Sequence, residues 1–129
     1  MNYKEFTMIA CGGAVGSVLR FYLGKMCQTL LGAGFPWGIL LVNVSGCFVI
    51  GILMALFLDF FALNPLWRSL LITGILGGYT TFSGFSLDVV EMLQHHQVVS
   101  AILYVLITVA TCLLATWGGM IFGYCLSKY

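Results

Sequence analysis

Gly74-Ile75-Leu76-Gly77-Gly78-Tyr79-Thr80-Thr81-Phe82-Ser83-Gly84-Phe85-Ser86 lies inside an apolar segment that runs from Trp67 to Leu93. It is a poor sequence for an uninterrupted helix. Each glycine in a helix interior costs about 1 kcal/mol relative to alanine, and adjacent Thr80 and Thr81 add β-branching. In lipid, backbone groups freed by a break must be satisfied within the protein or by something it holds. The end of a first half-helix offers bare carbonyls to a cation, and the start of a second offers N–H groups to an anion. The stretch therefore predicts a membrane span broken mid-membrane, at the centre of a small ion-conducting protein.

The rest of the chain agrees with a membrane setting. Only 7% of its 129 residues are charged and 61% are hydrophobic, whereas a soluble domain carries about 25% charged residues. The fold class read from this is an all-α integral membrane protein, with the lipid bilayer as its surroundings. A net charge of +1 gives no basic footprint for nucleic acid. Cys11, Cys27, Cys47, Cys112 and Cys125 contain no C-x-x-C pair and read as small packing residues rather than a disulfide framework or zinc site. Lys4 ahead of an apolar run resembles a signal peptide, but no small-x-small cleavage site ends that run and Arg20 falls late within it. It reads as a first span.

A span needs about 20 apolar residues. Four fit within a single transmembrane domain covering the chain: Glu5–Gly24, Trp37–Leu58, Trp67–Leu93 and Val98–Leu126. The predicted linkers are Lys25–Pro36, Asp59–Leu66 and Gln94–Gln97. Tyr3, Trp37, Trp67 and Tyr129 occupy expected interfacial positions. With four spans both termini share a side, where Lys4, Arg68 and Lys128 face only Lys25, plus Arg20 if it snorkels outward. That positive-inside bias is feeble, so insertion in both directions is expected. A chain this short hardly encloses a pore alone. An antiparallel homodimer would supply the inverted symmetry that many transporters build from two halves.

Polar residues inside the spans are the candidate functional groups. Gly12 and Gly16 form a G-x-x-x-G face suited to close helix approach. Arg20 either snorkels from a short span or holds the entrance of an anion path positive. Asn43 either clasps a neighbouring helix or lines a pore, where its amide donates to an anion. If the third span restarts near Thr80, Phe82, Phe85 and Ser86 share one face. The positive edge of a phenyl ring can solvate a small anion where no charge is tolerated, and Ser83 and Ser86 add hydroxyls. Asp88 is near enough to affect the ion's approach. On span four, Thr108 and Thr111 are candidates for pore lining, and Tyr104 extends such a track by one turn.

Taken together, Gly12-Gly13-x-x-Gly16-Ser17-x-x-Arg20, Asn43-x-x-Gly46 and Gly74-x-x-Gly77-Gly78-x-Thr80-Thr81-Phe82-Ser83-x-Phe85 resemble the Fluc (CrcB-type) fluoride channels. The resemblance covers all four spans. It implies a dual-topology antiparallel homodimer in the bacterial cell (inner) membrane, with two separate fluoride pathways. It also implies a central structural Na+ at the dimer interface, held by backbone carbonyls that fall here on Gly77 and Thr80. Phe82, Phe85 and Asn43 would line the fluoride pathway together with a polar track on span four. Arg20 would stand at the aqueous mouth and Asp88 close to the path. The chain departs from the family pattern at Ile39, Gly84 and Cys112.

The expected function is passive export of cytoplasmic fluoride down its electrochemical gradient, giving fluoride resistance. The rival is a small four-span, dual-topology cation or drug exporter. Proton-coupled export wants a membrane-embedded carboxylate, and spans one and two carry none deep inside, Glu5 being marginal. A helper subunit held by glycine faces would explain the glycines but not the break beside the phenylalanines. No nucleophile–base or metal-ligand constellation points to an enzyme, and His95-His96 read as solvated loop residues.

Overall fold

Why the helices form where they do follows from apolar runs punctuated by Gly, Pro and Asn. In a computed structural model, residues 2–59 and 64–128 are described. α1 spans Tyr3–Leu31, α2 Trp37–Asp59 and α3 Pro65–Arg68; a π-helical stretch, Ser69–Leu76, leads into α4, Gly77–Tyr79. α5 spans Phe82–Gln94 and α6 Val98–Ser127. Among the described residues, four helical stretches are long and apolar enough to cross a membrane, the third being Pro65–Gln94. Residues 60–63, half of the predicted linker Asp59–Leu66, and Tyr129 lie outside the described residues.

The first span is longer than its sequence suggested. Lys25–Leu31 continues α1 rather than forming a linker, and the helix ends at Gly32, whose φ of 93° only glycine adopts readily. Gln28 makes the short connection rigid. Its Nε2 donates to the carbonyls of Gly32 and Phe35 at 2.6 and 2.9 Å, and its Oε1 accepts from Gly38 N at 3.0 Å. The remaining long helices begin at Trp37, Pro65 and Val98 and end at Asp59, Gln94 and Ser127. Asn64 caps α3 by accepting from Leu66 N, with Pro65 at the first helical position. His95 and His96 turn the chain into α6 and are exposed.

The spans pair in two parallel couples. A Cβ on Gly12 would lie 2.5 Å from Leu70 O and 2.9 Å from Gly74 Cα, and one on Gly16 would collide with Ile75 O. The G-x-x-x-G face thus seats the backbone of residues 70–79 directly on α1. In the second couple, Gly51 lies against the Thr116 carbonyl, Gly119 against that of Phe48, and a Cβ on Gly123 would be 2.7 Å from the Ala55 Cβ. α2 and α6 therefore keep one register over several turns. Many large apolar side chains face outward, among them Val18, Phe21, Leu106 and Leu113. In water such a surface would aggregate; against lipid tails it costs nothing.

Candidate functional site: an interrupted helix beside a lined cavity

Regular helix stops at Thr80 and Thr81, both extended, and resumes at Phe82. In an unbroken helix the N–H of residue 81 would close on the carbonyl of 77, and that of 84 on the carbonyl of 80. Both are diverted to side chains here. Thr81 N donates to Asn43 Oδ1 at 2.8 Å, and Gly84 N to Thr81 Oγ1 at 3.0 Å. Asn43 Nδ2 returns the contact, donating to Thr81 O at 3.0 Å. The amide orientation follows from its partners, since an N–H requires the oxygen and a carbonyl the nitrogen. The carbonyls of Gly77 and Thr80 thereby lose their usual helical partners. Thr80 O receives a long contact, 3.4 Å, from Arg20 Nη1.

Asn43 is thus a clasp on the interruption, and one of its two amide N–H groups remains for other use. The chain approaches closely at this point: a Cβ on Gly46, one turn along from Asn43, would meet Thr80 Cγ2 and the Tyr79 ring. Tyr79 is held in turn by a 2.9 Å hydrogen bond between its hydroxyl and Ser45 Oγ.

Against this interruption lies a cavity of about 320 Å³. Five sequence candidates border it: Asn43, Thr80, Phe82, Phe85 and Thr108. Thr108 is 5% exposed and its Oγ1 has no hydrogen-bond partner. A threonine in an apolar helix ordinarily bonds back to the preceding turn. Thr111 does so, to Ile107 O at 2.6 Å, and Thr116 to Cys112 O at 3.1 Å. An orphaned buried hydroxyl costs about 1–3 kcal/mol, and that of Thr108 lies unpartnered at the cavity wall.

Phe82 and Phe85 are 5.4 Å apart between ring centroids, yet Phe82 is 77% exposed and Phe85 only 7%. Phe85 continues into a ladder of rings, with Tyr104 at 5.2 Å, Phe35 at 5.2 Å beyond it and Trp37 at 4.8 Å beyond that. Tyr104 is fully buried and donates its hydroxyl to Asp88 Oδ2 at 3.1 Å, tying α6 to α5. Asp88 also borders a second cavity, of about 510 Å³, shared with Ser17, Arg20 and Lys25, so two cations stand at one mouth.

Not every candidate converges on the 320 Å³ cavity. Ser83 is exposed and bonded to Thr81 Oγ1 at 3.0 Å. Ser86 and Thr111 do not line that cavity, and Tyr104 stands behind Phe85. Two residues the sequence reading set aside as packing, Cys47 and Cys112, do line it. Gln28 was also missed; a lone amide just before Gly32-Ala33-Gly34-Phe35-Pro36, a stretch of backbone needing partners, was the available signal.

A family model described as CrcB-like protein, Camphor Resistance (CrcB), matches residues 7–120. The chain belongs to this family. A Rhizobium meliloti (strain 1021) protein named fluoride-specific ion channel FluC is 44% identical over 117 residues, covering 91% of this chain and 94% of that protein. Proteins of the same name from Rhizobium johnstonii and Acidobacterium capsulatum are 45% and 38% identical, covering 88% and 92% of this chain and 90% and 95% of their own lengths. The family match takes in the glycine face, Asn43, the interruption and Thr108, so the whole site lies within the shared part of the chain.

Proposed function

We propose that this chain is a fluoride-selective channel of the bacterial inner membrane, carrying cytoplasmic fluoride outward passively and so conferring fluoride resistance. The observation that carries the reading is the lined cavity. It joins two phenyl rings and an unpartnered buried hydroxyl, in a chain whose relatives are named fluoride-specific channels. Fluoride is small and strongly hydrated, so a path through lipid must replace its water with donors. The Thr108 hydroxyl and the second Asn43 N–H are such donors, and the ring edges of Phe82 and Phe85 present positive potential without a counter-charge. Larger chloride is refused by size and ligand field together. Arg20 and Lys25 raise the potential for anions at the mouth.

The working unit is an antiparallel, dual-topology homodimer with the interruption of span three mid-membrane and two separate pathways. The 77% exposure of Phe82, at the side of the cavity, supports a second copy completing the wall. A central Na+ fits the residues present. The carbonyls of Gly77 and Thr80 are those whose helical N–H partners have been diverted, and two copies bring four such oxygens together. The Arg20 contact occupies at most one lone pair of Thr80 O. The ion would neutralise converging carbonyl dipoles and hold the two breaks together, while the side chains conduct.

Efflux from proteoliposomes loaded separately with fluoride and chloride, with the membrane potential collapsed by an ionophore, tests this. Rapid fluoride loss with chloride retained is expected. Verified, reconstituted protein that releases no fluoride would overturn the channel reading and bring proton-coupled cation export forward.

A further inference from the structure

Two cysteines, one from α2 and one from α6, line the wall of the cavity. α2 and α6 run parallel, with Gly51 against the Thr116 carbonyl. One turn earlier on each helix stand Cys47 and Cys112, and one turn earlier again Asn43 and Thr108. Both cysteines are free, and both line the cavity, one from each helix. The cavity is layered in consequence: an amide and an orphaned hydroxyl, then a pair of thiols.

The chemistry of such a pair is restricted. Among the described residues, no group of three His, Cys, Asp or Glu side chains could hold a metal, which excludes a tetrahedral zinc-type site. Two thiolates alone suit a soft d10 ion that accepts linear two-coordination. Charge then selects the ion. A monovalent cation between two thiolates leaves a net negative charge in an apolar wall, which is costly, whereas a divalent one leaves none.

We propose that Cys47 and Cys112 form a two-thiolate site for a soft divalent cation, mercuric ion being the type, and that its occupancy closes the path at the thiol layer. The site stands on the packing alone; closure rests on the reading of this cavity as the fluoride path. Mercuric chloride reaches the site as a neutral molecule. Two S–H and two Hg–Cl bonds break, two Hg–S bonds form, and two protons and two chloride ions leave to the buffer, with no change in oxidation state.

The test uses the Cys11→Ser/Cys27→Ser/Cys125→Ser chain, which keeps only this pair. Titrated with mercuric chloride in detergent, it takes up one mercury per chain and loses both free thiols together. A further Cys47→Ser or Cys112→Ala change weakens binding by about a hundredfold, because the chelate is lost. In proteoliposomes, fluoride efflux falls more than about tenfold at one mercury per chain and recovers with a dithiol, each variant being compared with itself untreated. On the unaltered chain, mercury shields Cys47 and Cys112 from maleimide alkylation, read by mass spectrometry, so the site is decided even if the serine variant fails to assemble. Independent titration of the two thiols overturns the site. One mercury per chain with undiminished efflux overturns closure. Should no chain conduct fluoride before metal is added, the channel reading fails, while stoichiometry and shielding still decide the site.

Discussion

The two halves of the interrupted span are held in opposite ways. Before the interruption, residues 70–79 approach α1 backbone to backbone at Gly12, Gly13 and Gly16. After it, α5 is held by side chains: Thr81 caps it, Phe85 packs on Tyr104, and Asp88 accepts from the Tyr104 hydroxyl. A backbone contact has no slack, because any added carbon meets atoms that cannot rotate away. A side-chain contact can be altered by degrees. The first half therefore sets where the interruption sits, and the second sets what its surface offers the cavity.

The largest effect is expected where there is no slack. Gly16→Ala places a methyl group on the Ile75 carbonyl and beside Tyr79 N, an overpacking expected to cost about 3 kcal/mol or more. Folded, monodisperse protein should be lost on purification. Gly13→Ala, three residues away, meets nothing within 4 Å and should purify normally. Equal yields of the two would break the contrast between the halves.

Next comes the surface offered to the cavity. Phe85→Ile and Phe82→Ile each keep an apolar side chain but remove the ring edge, and each should cut fluoride efflux by at least about tenfold with assembly intact. Chromatographic size and efflux, measured on the same sample, check this. Phe85→Ile also interrupts the ladder to Tyr104, so it alone should lower the melting temperature. Undiminished efflux in both variants would leave the rings with packing as their whole role.

The hinge between the halves should be intermediate. Asn43→Ala leaves Thr81 N–H and C=O without partners, a loss of about 1–3 kcal/mol for each group. Amide exchange at Thr81 should accelerate much more than at Val42, one residue before the substitution in α2. If both accelerate alike, Asn43 supports the whole bundle rather than the interruption.

What the sequence disclosed was local. The four spans, the disfavoured helix through Gly74–Thr81 and the Phe82/Phe85 pair are written in consecutive residues, and the glycine spacing of Gly12 and Gly16 shows on one helix face. What it withheld depends on register between helices. Nothing near Gln28 states that three backbone groups in the following turn and α2 will reach its amide. Nothing near Cys47 states that Cys112 will line the same cavity. The π-helical turns of Ser69–Leu76, which pack against α1, are equally silent.

Thr108 and Thr111 make the same point at the smallest scale, because in sequence they are two equivalent threonines on one helix. The fold separates them. Thr111 Oγ1 bonds to Ile107 O and approaches Thr108 O at 3.3 Å, whereas Thr108 Oγ1 is buried and unpartnered at the cavity wall. Thr108→Val keeps the shape and deletes the orphan. It should raise stability by about 1 kcal/mol, since an unsatisfied buried hydroxyl is removed, while slowing fluoride efflux severalfold. Thr111→Val deletes only a bond within its own helix and should leave efflux within about twofold. A stabilised but slower Thr108→Val chain would mark that hydroxyl as held for the ion at the expense of the fold. A Thr108→Val chain as unstable as it is slow would mean instead that the hydroxyl has a structural partner in the assembled protein.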